Sequence, residues 1–194
     1  WTLLPQASTA KASNHVALPG GVVPTDTSIS DLGTYTPAPD RPDPVALLES
    51  QSASRLPDLV PLRFGRMLAS PFTFYRGAAL LMASDLASGS RSPLQVHLCG
   101  DAHLSNFGAF ASPERRLVFD INDFDETHPG PFEWDVKRLV TSMEVAGRYR
   151  GFTKKERNQL LRATSEGYRE AMQELSSQGN LDVWYASIDI DAVM

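Results

Sequence analysis

The stretch that decides the fold lies in the middle of the chain, at residues 94–106, which read LQVHLCGDAHLSN. Its first half alternates apolar and polar side chains, and this period of two predicts a β-strand over residues 94–99. Directly after that strand the polar residues of 100–106 collect in a loop. A second strand is predicted over residues 116–121, and Ser112-Pro113-Glu114 is typical of a turn between the two. The stretch therefore predicts a small β-hairpin.

The sequence on both sides of this hairpin has the period of α-helices. Asp43-Pro44 and Ser70-Pro71 each place a proline directly after an N-cap residue, which is a helix start signal. Thr153-Lys154-Lys155-Glu156 is a capping box that predicts a long helix after it. Further helices are predicted over residues 58–68 and 74–86 and from Trp134 onward. The expected fold class is α+β, mainly helical, with the hairpin carrying the functional residues.

The length of 194 residues suits one domain or a large piece of one. Residues 1–45 hold seven of the fourteen prolines but only six charged residues. Proline lacks a backbone donor, so this part is predicted to be an extended or disordered leader, and residues 46–194 a folded domain. Because the chain starts at Trp1 and stops at Met194 inside an apolar-acidic stretch, we expect a fragment whose domain continues beyond the C-terminus.

The composition argues against several classes of protein. The formal net charge of −5 is unlike that of a general nucleic-acid binder, which usually has a basic face. The longest run of small or apolar residues, 77–83, is far shorter than the roughly 20 residues that span a bilayer. The single cysteine cannot form an internal disulfide, which favours a reducing, cytoplasmic location. We therefore expect neither nucleic acid nor a membrane as a partner.

Acidic residues are concentrated after the second predicted strand. Residues 120–135 contain six acids and no lysine or arginine. Carboxylates so close together repel one another unless solvent or a cation intervenes. Oxygen ligands without a cysteine or multi-histidine set favour Mg²⁺ or Mn²⁺ over Zn²⁺. The six acids are Asp120, Asp123, Asp125, Glu126, Glu133 and Asp135.

The spacing of the loop residues indicates a specific chemistry. Asp101 and Asn106 are separated as in the D-x-x-x-x-N catalytic loop of phosphotransferases. In that loop the aspartate orients or deprotonates the acceptor hydroxyl, and the asparagine holds a metal ion. Asp123-Phe124 follows the second strand, where those enzymes place a metal-binding aspartate. Asp120, at the end of the same strand, is a competing ligand.

These motifs resemble the small-molecule branch of the protein-kinase-like superfamily, which includes aminoglycoside phosphotransferases and choline kinases. The wider sequence, from about Arg41 to the C-terminus, is more similar to the bacterial DUF2252 family of uncharacterised proteins. Four stretches carry this resemblance: Arg66–Phe72, Phe74–Ala79, Cys99–Asn106 and Arg116–Arg138.

The resemblance implies the catalytic, C-terminal lobe of a kinase-like fold and a role for each loop residue. Asp101 would be the catalytic base, and His103 would shape the loop around it. Asn106 and Asp123 would bind the ATP cofactor through Mg²⁺ or Mn²⁺, with Asp120 as an alternative ligand. Asp135 would be a buried acid that ties the following helix to the loop.

The leading hypothesis is thus an ATP- and Mg²⁺-dependent phosphotransferase that acts on a small hydroxyl-bearing molecule. The chain has no G-x-G-x-x-G loop and no lysine on a credible strand. The resemblance implies that these nucleotide-binding parts lie C-terminal to this region, so we expect the fragment alone to be inactive. A metal-dependent phosphoesterase and a non-catalytic pseudokinase-like or protein-binding module are the alternatives. A phosphoesterase would need downstream histidine ligands, and no histidine follows His128.

Overall fold

The computed structural model describes residues 29–190 of the chain, and its order of elements confirms a mainly helical α+β fold. The helices of this part are α1 (Ile29–Leu32), α2 (Pro44–Ser52), α3 (Val60–Met67), α4 (Pro71–Gly77), α5 (Ala79–Ala87), α6 (Glu133–Tyr149), α7 (Lys154–Ser176) and α8 (Asn180–Tyr185). The strands are β1 (Gln95–Leu98), β2 (Phe107–Ala111), β3 (Leu117–Ile121), β4 (His128–Pro131) and β5 (Ile188–Asp189). Two short 3-10 helices, Pro57–Leu59 and Leu104–Asn106, complete the described elements.

The helix starts expected from the sequence are confirmed by their capping hydrogen bonds. The Asp43 carboxylate accepts from the amide of Ala46, 3.1 Å away, and begins α2. Ser70 caps α4 in a reciprocal arrangement with Thr73. Thr153 and Glu156 form the predicted capping box of α7. Each cap satisfies amide groups that the first helical turn leaves without partners.

The single helix predicted over residues 74–86 is wrong, because α4 ends at Gly77 and α5 begins at Ala79. Ala78 between them is non-helical, with φ −117° and ψ 33°. The side chain of Met67 fills the space beside Gly77, where an added Cβ would lie 2.6 Å from its Cγ. The apolar spacing continues through the break because both helices face the same core, so the sequence pattern did not reveal it.

Both predicted strands exist, but the predicted hairpin between them is wrong, because they belong to different sheets. β3 pairs with β2 rather than with β1, and the turn between β2 and β3 contains the predicted Ser112-Pro113-Glu114. β5 pairs with the other edge of β3. β1 instead pairs antiparallel with β4, from Gln95–Pro131 to Leu98–His128. β4 reads His-Pro-Gly-Pro, and prolines cannot donate to a ladder, so its sequence is typical of a loop rather than of a strand.

The buried core of the N-terminal helices is small. Leu48 of α2, Met67 of α3 and Ala78 form one buried cluster, and Phe64 and Leu81 pack against it. α6 packs against both α4 and α7 and thereby joins this core to the C-terminal part of the described chain. None of the helices within residues 29–190 has the length and apolar character that a membrane crossing requires.

The predicted leader falls largely on residues 1–28, which lie outside the described residues. Its described part contains α1 and then runs along α5 to reach α2. Arg41 ties this segment to α5 through Asp85, with Nε–Oδ1 and Nη2–Oδ2 distances of 2.6 and 2.9 Å. The division into a leader over 1–45 and a domain over 46–194 stays a prediction.

We expect Asp85→Asn to destabilise the protein near neutral pH but not in strong acid. The hydrogen bond from Arg41 lowers the pKa of Asp85 below its ordinary value of 3.8. The stabilisation is therefore complete above that ordinary value and is lost as the pH falls through the lowered pKa of the folded protein. Urea unfolding midpoints of the wild type and the variant should differ at pH 7 and converge in strong acid. The exposed acid Glu166 provides the control, and Glu166→Gln should follow the wild type.

Candidate functional site

The loop after β1 begins at Gly100, a position whose backbone conformation and close surroundings require glycine. Gly100 has a φ of +85°, a left-handed conformation that other residues rarely adopt. A Cβ at this position would lie 1.9 Å from the backbone oxygen of Glu126. The close approach places the loop after β1 directly against the acidic segment that follows β3. Cys99 before it is buried, and this burial raises the pKa of its thiol.

Asp135 in the first turn of α6 is half-buried, and it ties this helix to the start of the loop as predicted. Its Oδ2 accepts from the amide of Cys99 at 2.7 Å, and its Oδ1 accepts from the amide of Gly100 at 3.1 Å. Burial raises the pKa of Asp135, although the two amide hydrogen bonds lower it in part. One carboxylate thus fixes two successive peptide groups and sets the direction in which the chain enters the loop.

Asp101 is paired with an arginine that the sequence analysis did not single out. Its Oδ1 lies 2.8 Å from both Nε and Nη2 of Arg138 on α6. The Asp101 side chain is 16% exposed, whereas that of Arg138 is 4% exposed. The pair is therefore closed on the arginine side and open on the carboxylate side. Arg138 follows Asp135 by three positions, so the two side chains project from the same face of α6. This spacing is the feature of the sequence that could have indicated a role for Arg138 in the site.

Tyr75 of α4 encloses the guanidinium of Arg138. The guanidinium carbon lies 3.9 Å from the centre of the Tyr75 ring, and Nη2 donates to the Tyr75 carbonyl at 2.6 Å. The Tyr75 hydroxyl in turn donates to the Arg138 carbonyl at 2.9 Å. Burial raises the pKa of the Tyr75 hydroxyl, which favours its role as a donor. The arginine is thereby held in one orientation by contacts on three sides.

His103 is a neutral, buried member of the same loop. Burial lowers the pKa of its imidazole from the ordinary value of 6.5, so the ring is uncharged at pH 7. Nδ1 accepts from the amide of Ser105 at 3.1 Å, which places the ring proton on Nε2. Nε2 lies 3.6 Å from Oδ2 of Asp101. His103 therefore directs a polar N–H toward the carboxylate oxygen that Arg138 does not occupy.

Asn106 closes the loop through its side chain. Its Nδ2 donates to the carbonyl of Asp101 at 2.7 Å, and the side chain is buried. The 3-10 helix that carries it is anchored to α6, because the amide of Leu104 donates to the hydroxyl of Ser142 at 2.9 Å. With Nδ2 engaged inside the loop, the amide oxygen of Asn106 is the end available to a ligand.

The two candidate acids after the loop are placed differently. Asp123 is exposed, its Oδ1 accepts from the amide of Asp125 at 3.0 Å, and its carbonyl lies 3.6 Å from the Cys99 sulfur. The amide of the preceding Asn122 donates to the carbonyl of Asn106 at 2.8 Å, so this segment contacts both ends of the loop. Asp120 lies on β3 opposite Gly108 and accepts from the amide of Ile121 at 2.7 Å.

The structure thus unites Asp101, His103 and Asn106 in one hydrogen-bonded loop and brings the backbone of Asp123 against it. Within residues 29–190, no hydrogen bond joins Asp120 to these residues, and no group of three or more His, Cys, Asp or Glu side chains is arranged to hold a metal ion. A metal ion bound here would have Asn106 and at most two carboxylates as its protein ligands. Mg²⁺ is commonly bound by one or two carboxylates together with substrate phosphates and water, so the donor set fits that ion bound with a nucleotide.

The comparisons with known proteins give a family but no characterised relative. The family model described as "Uncharacterized protein conserved in bacteria (DUF2252)" matches residues 55–194, which include every residue of the candidate site. No curated protein and no solved structure matches the chain.

Proposed function

We propose that this chain, which belongs to the DUF2252 family of proteins conserved in bacteria, carries the catalytic half of an ATP- and Mg²⁺-dependent phosphotransferase that acts on a small hydroxyl-bearing molecule. The observation that carries the proposal is the loop from Asp101 to Asn106. Its two ends are joined by the 2.7 Å hydrogen bond between the Asn106 side chain and the Asp101 carbonyl. A carboxylate for the acceptor and an amide oxygen for the metal are therefore held at a fixed separation.

Asp101 is the proposed base. Oδ1 is occupied by Arg138, which leaves Oδ2 to accept the proton of the attacking hydroxyl. His103 Nε2 lies on the same side, 3.6 Å from Oδ2, and limits the rotation of the carboxylate. General-base catalysis requires such an oxygen within hydrogen-bond reach of the proton that it removes.

Asn106 and Asp123 are the proposed ligands of a magnesium–nucleotide complex, with Asp120 as the alternative to Asp123. When bound, Mg²⁺ would neutralise negative charge on the transferred phosphoryl group. Both side chains are exposed, but the amide of Asn122, directly before Asp123, donates to the carbonyl of Asn106, which supports the choice of Asp123 over Asp120. The same proposal includes the kinase-like lobe and the cytoplasmic location. It also includes the binding of an acceptor and a nucleotide with the help of a further part of the chain.

A non-catalytic module is the second candidate, and one observation favours it. The ion pair of Asp101 with the buried Arg138 is also what a purely structural carboxylate would form. In that case the acidic loop would position α6 against α4 without binding a nucleotide. A metal-dependent phosphoesterase is less well supported, since residues 29–190 contain no group of three or more His, Cys, Asp or Glu side chains arranged to hold a metal ion.

Calorimetric titration of Mg·ATP into the full-length protein tests the proposal. We expect saturable binding that requires the metal, and a loss of about 10-fold or more in affinity in Asp123→Asn. Asp125→Asn, two positions further on the same exposed segment, is the matched control and should bind as the wild type does. An absence of binding at millimolar nucleotide, or equal losses in both variants, would reject the phosphotransferase and leave the non-catalytic module.

A further inference from the structure

A large cavity lies apart from the loop of Asp101, between α4, α5 and α6, and we call it the α5 cavity. Its volume is about 670 Å³, within the range of roughly 300–1,000 Å³ that is usual for small-molecule sites. The segment just after α1 closes one side of it, at Leu32–Tyr35. Most of the remaining wall is apolar and comes from Phe74, Ala78, Leu81, Met82, Leu86 and Val145. The cavity can therefore enclose an apolar body.

Three charged side chains at the cavity wall determine which ligand would suit it. Asp85 is neutralised by Arg41, and Arg138 is neutralised by Asp101 on the far side of the wall. Lys137 is half-buried at the wall, and among residues 29–190 no acid forms an ion pair with it. The charge that remains uncompensated at the wall is therefore positive.

A nearby acid on α6 does not remove this charge from Lys137. Glu133 lies one helical turn before it, and its Oε1 accepts from the amide of Ser92 at 2.9 Å. Burial lowers the pKa of the Lys137 ammonium, and the charge of Glu133 offsets this only in part. An anion beside Lys137 would complete the solvation that burial removes from the ammonium.

We infer that the α5 cavity binds a small amphipathic carboxylate, with its apolar chain among the α4, α5 and α6 side chains and its carboxylate at Lys137. The proposed ligand contacts include neither Asp101 nor the acids after β3, so the inference does not rest on the proposed phosphotransfer, although Tyr75 and Arg138, which hold Asp101, also line the cavity. The ligand class follows from the wall of the cavity, which is mostly apolar and includes Lys137, a cation without an ion-pair partner among residues 29–190.

Titration with three ligands of equal chain length separates the contribution of the charge from that of the chain. Octanoate, octanol and octylammonium are titrated into the full chain by calorimetry. We expect octanoate to bind about 10-fold more tightly than octanol, since the ammonium donates a charge-assisted hydrogen bond to the carboxylate but only an ordinary one to the hydroxyl. Octylammonium should bind more weakly than octanol. In Lys137→Gln, octanoate should bind only as well as octanol, whereas Lys155→Gln, on α7, should behave as the wild type.

Cavity-filling variants test the location. Val145→Trp and Leu86→Trp each place a large ring at the wall, and each should weaken all three ligands if its thermal melt shows a folded protein. Equal affinities for octanoate and octanol, or unchanged binding in a folded tryptophan variant, would overturn the inference. Binding that appears only after residues 1–28 are removed would assign the cavity to that segment instead and would also overturn it.

Discussion

Arg138→Met is expected to lower the free energy of unfolding by about 3–5 kcal/mol, because it removes one partner of a buried ion pair. The variant leaves the Asp101 carboxylate, whose side chain is 16% exposed, without the guanidinium that it contacts. The variant also loses the hydrogen bond to the Tyr75 carbonyl and the stacking on the Tyr75 ring. Urea unfolding of the wild type and the variant at pH 7 measures the difference.

The control for this prediction is an arginine on the same helix that is exposed. Arg148 pairs with Glu144 one turn away, and its side chain is 70% exposed. Arg148→Met should therefore change the free energy of unfolding by no more than about 0.5 kcal/mol. Losses of similar size in both variants would show that the burial of the Asp101–Arg138 pair is not what stabilises the fold.

A different substitution of Arg138 bears on the proposed reaction. Arg138 acts through Asp101 and is a positioning residue, so Arg138→Lys should retain the charge but lose the fork that fixes Oδ1. In the full-length protein we expect a lower kcat with an unchanged KM for Mg·ATP, since Asn106 and Asp123 remain in place. A KM that rises while kcat stays constant would contradict the assignment of Oδ2 as the proton acceptor.

Asp135→Ala is expected to destabilise the protein by about 2–6 kcal/mol. The change leaves the amides of Cys99 and Gly100 without their acceptors, and each unpaired buried amide costs about 1–3 kcal/mol. Asp135→Asn keeps one acceptor oxygen but presents an N–H₂ group to the second amide, so its loss should lie between those of the wild type and Asp135→Ala. Urea unfolding provides the measurement for all three proteins.

A control substitution in the same acidic segment tests whether the loss of stability is specific to Asp135. Asp125→Ala removes a carboxylate from the same run of acids, but Asp125 is exposed and lies in a turn after β3. Its free energy of unfolding should stay within about 0.5 kcal/mol of the wild type. If it fell as far as that of Asp135→Ala, a general sensitivity of the acidic segment to substitution, rather than the loss of the two amide hydrogen bonds, would explain the destabilisation.

The features of the fold that could be predicted from the sequence are those set by neighbouring residues. The starts of α2, α4 and α7 follow from Asp43, Ser70 and Thr153, since an N-cap needs only an oxygen within three positions of the amide that it accepts from. The turn between β2 and β3 and the loop after β1 were predictable for the same reason. The break at Ala78 was not, because both helices around it face one core and keep the same apolar spacing.

The sequence by itself determined the helix starts, the polar loop at Gly100–Asn106 and the run of acids after β3. Only the tertiary structure decided that β1 pairs with β4, and that Arg138 is the partner of the Asp101 Oδ1. Asp101 and Arg138 are 37 positions apart, and no local pattern encodes a contact over that distance. The pairing forms because α6 packs on α4, which removes Arg138 from water and leaves Asp101 and Tyr75 as its partners.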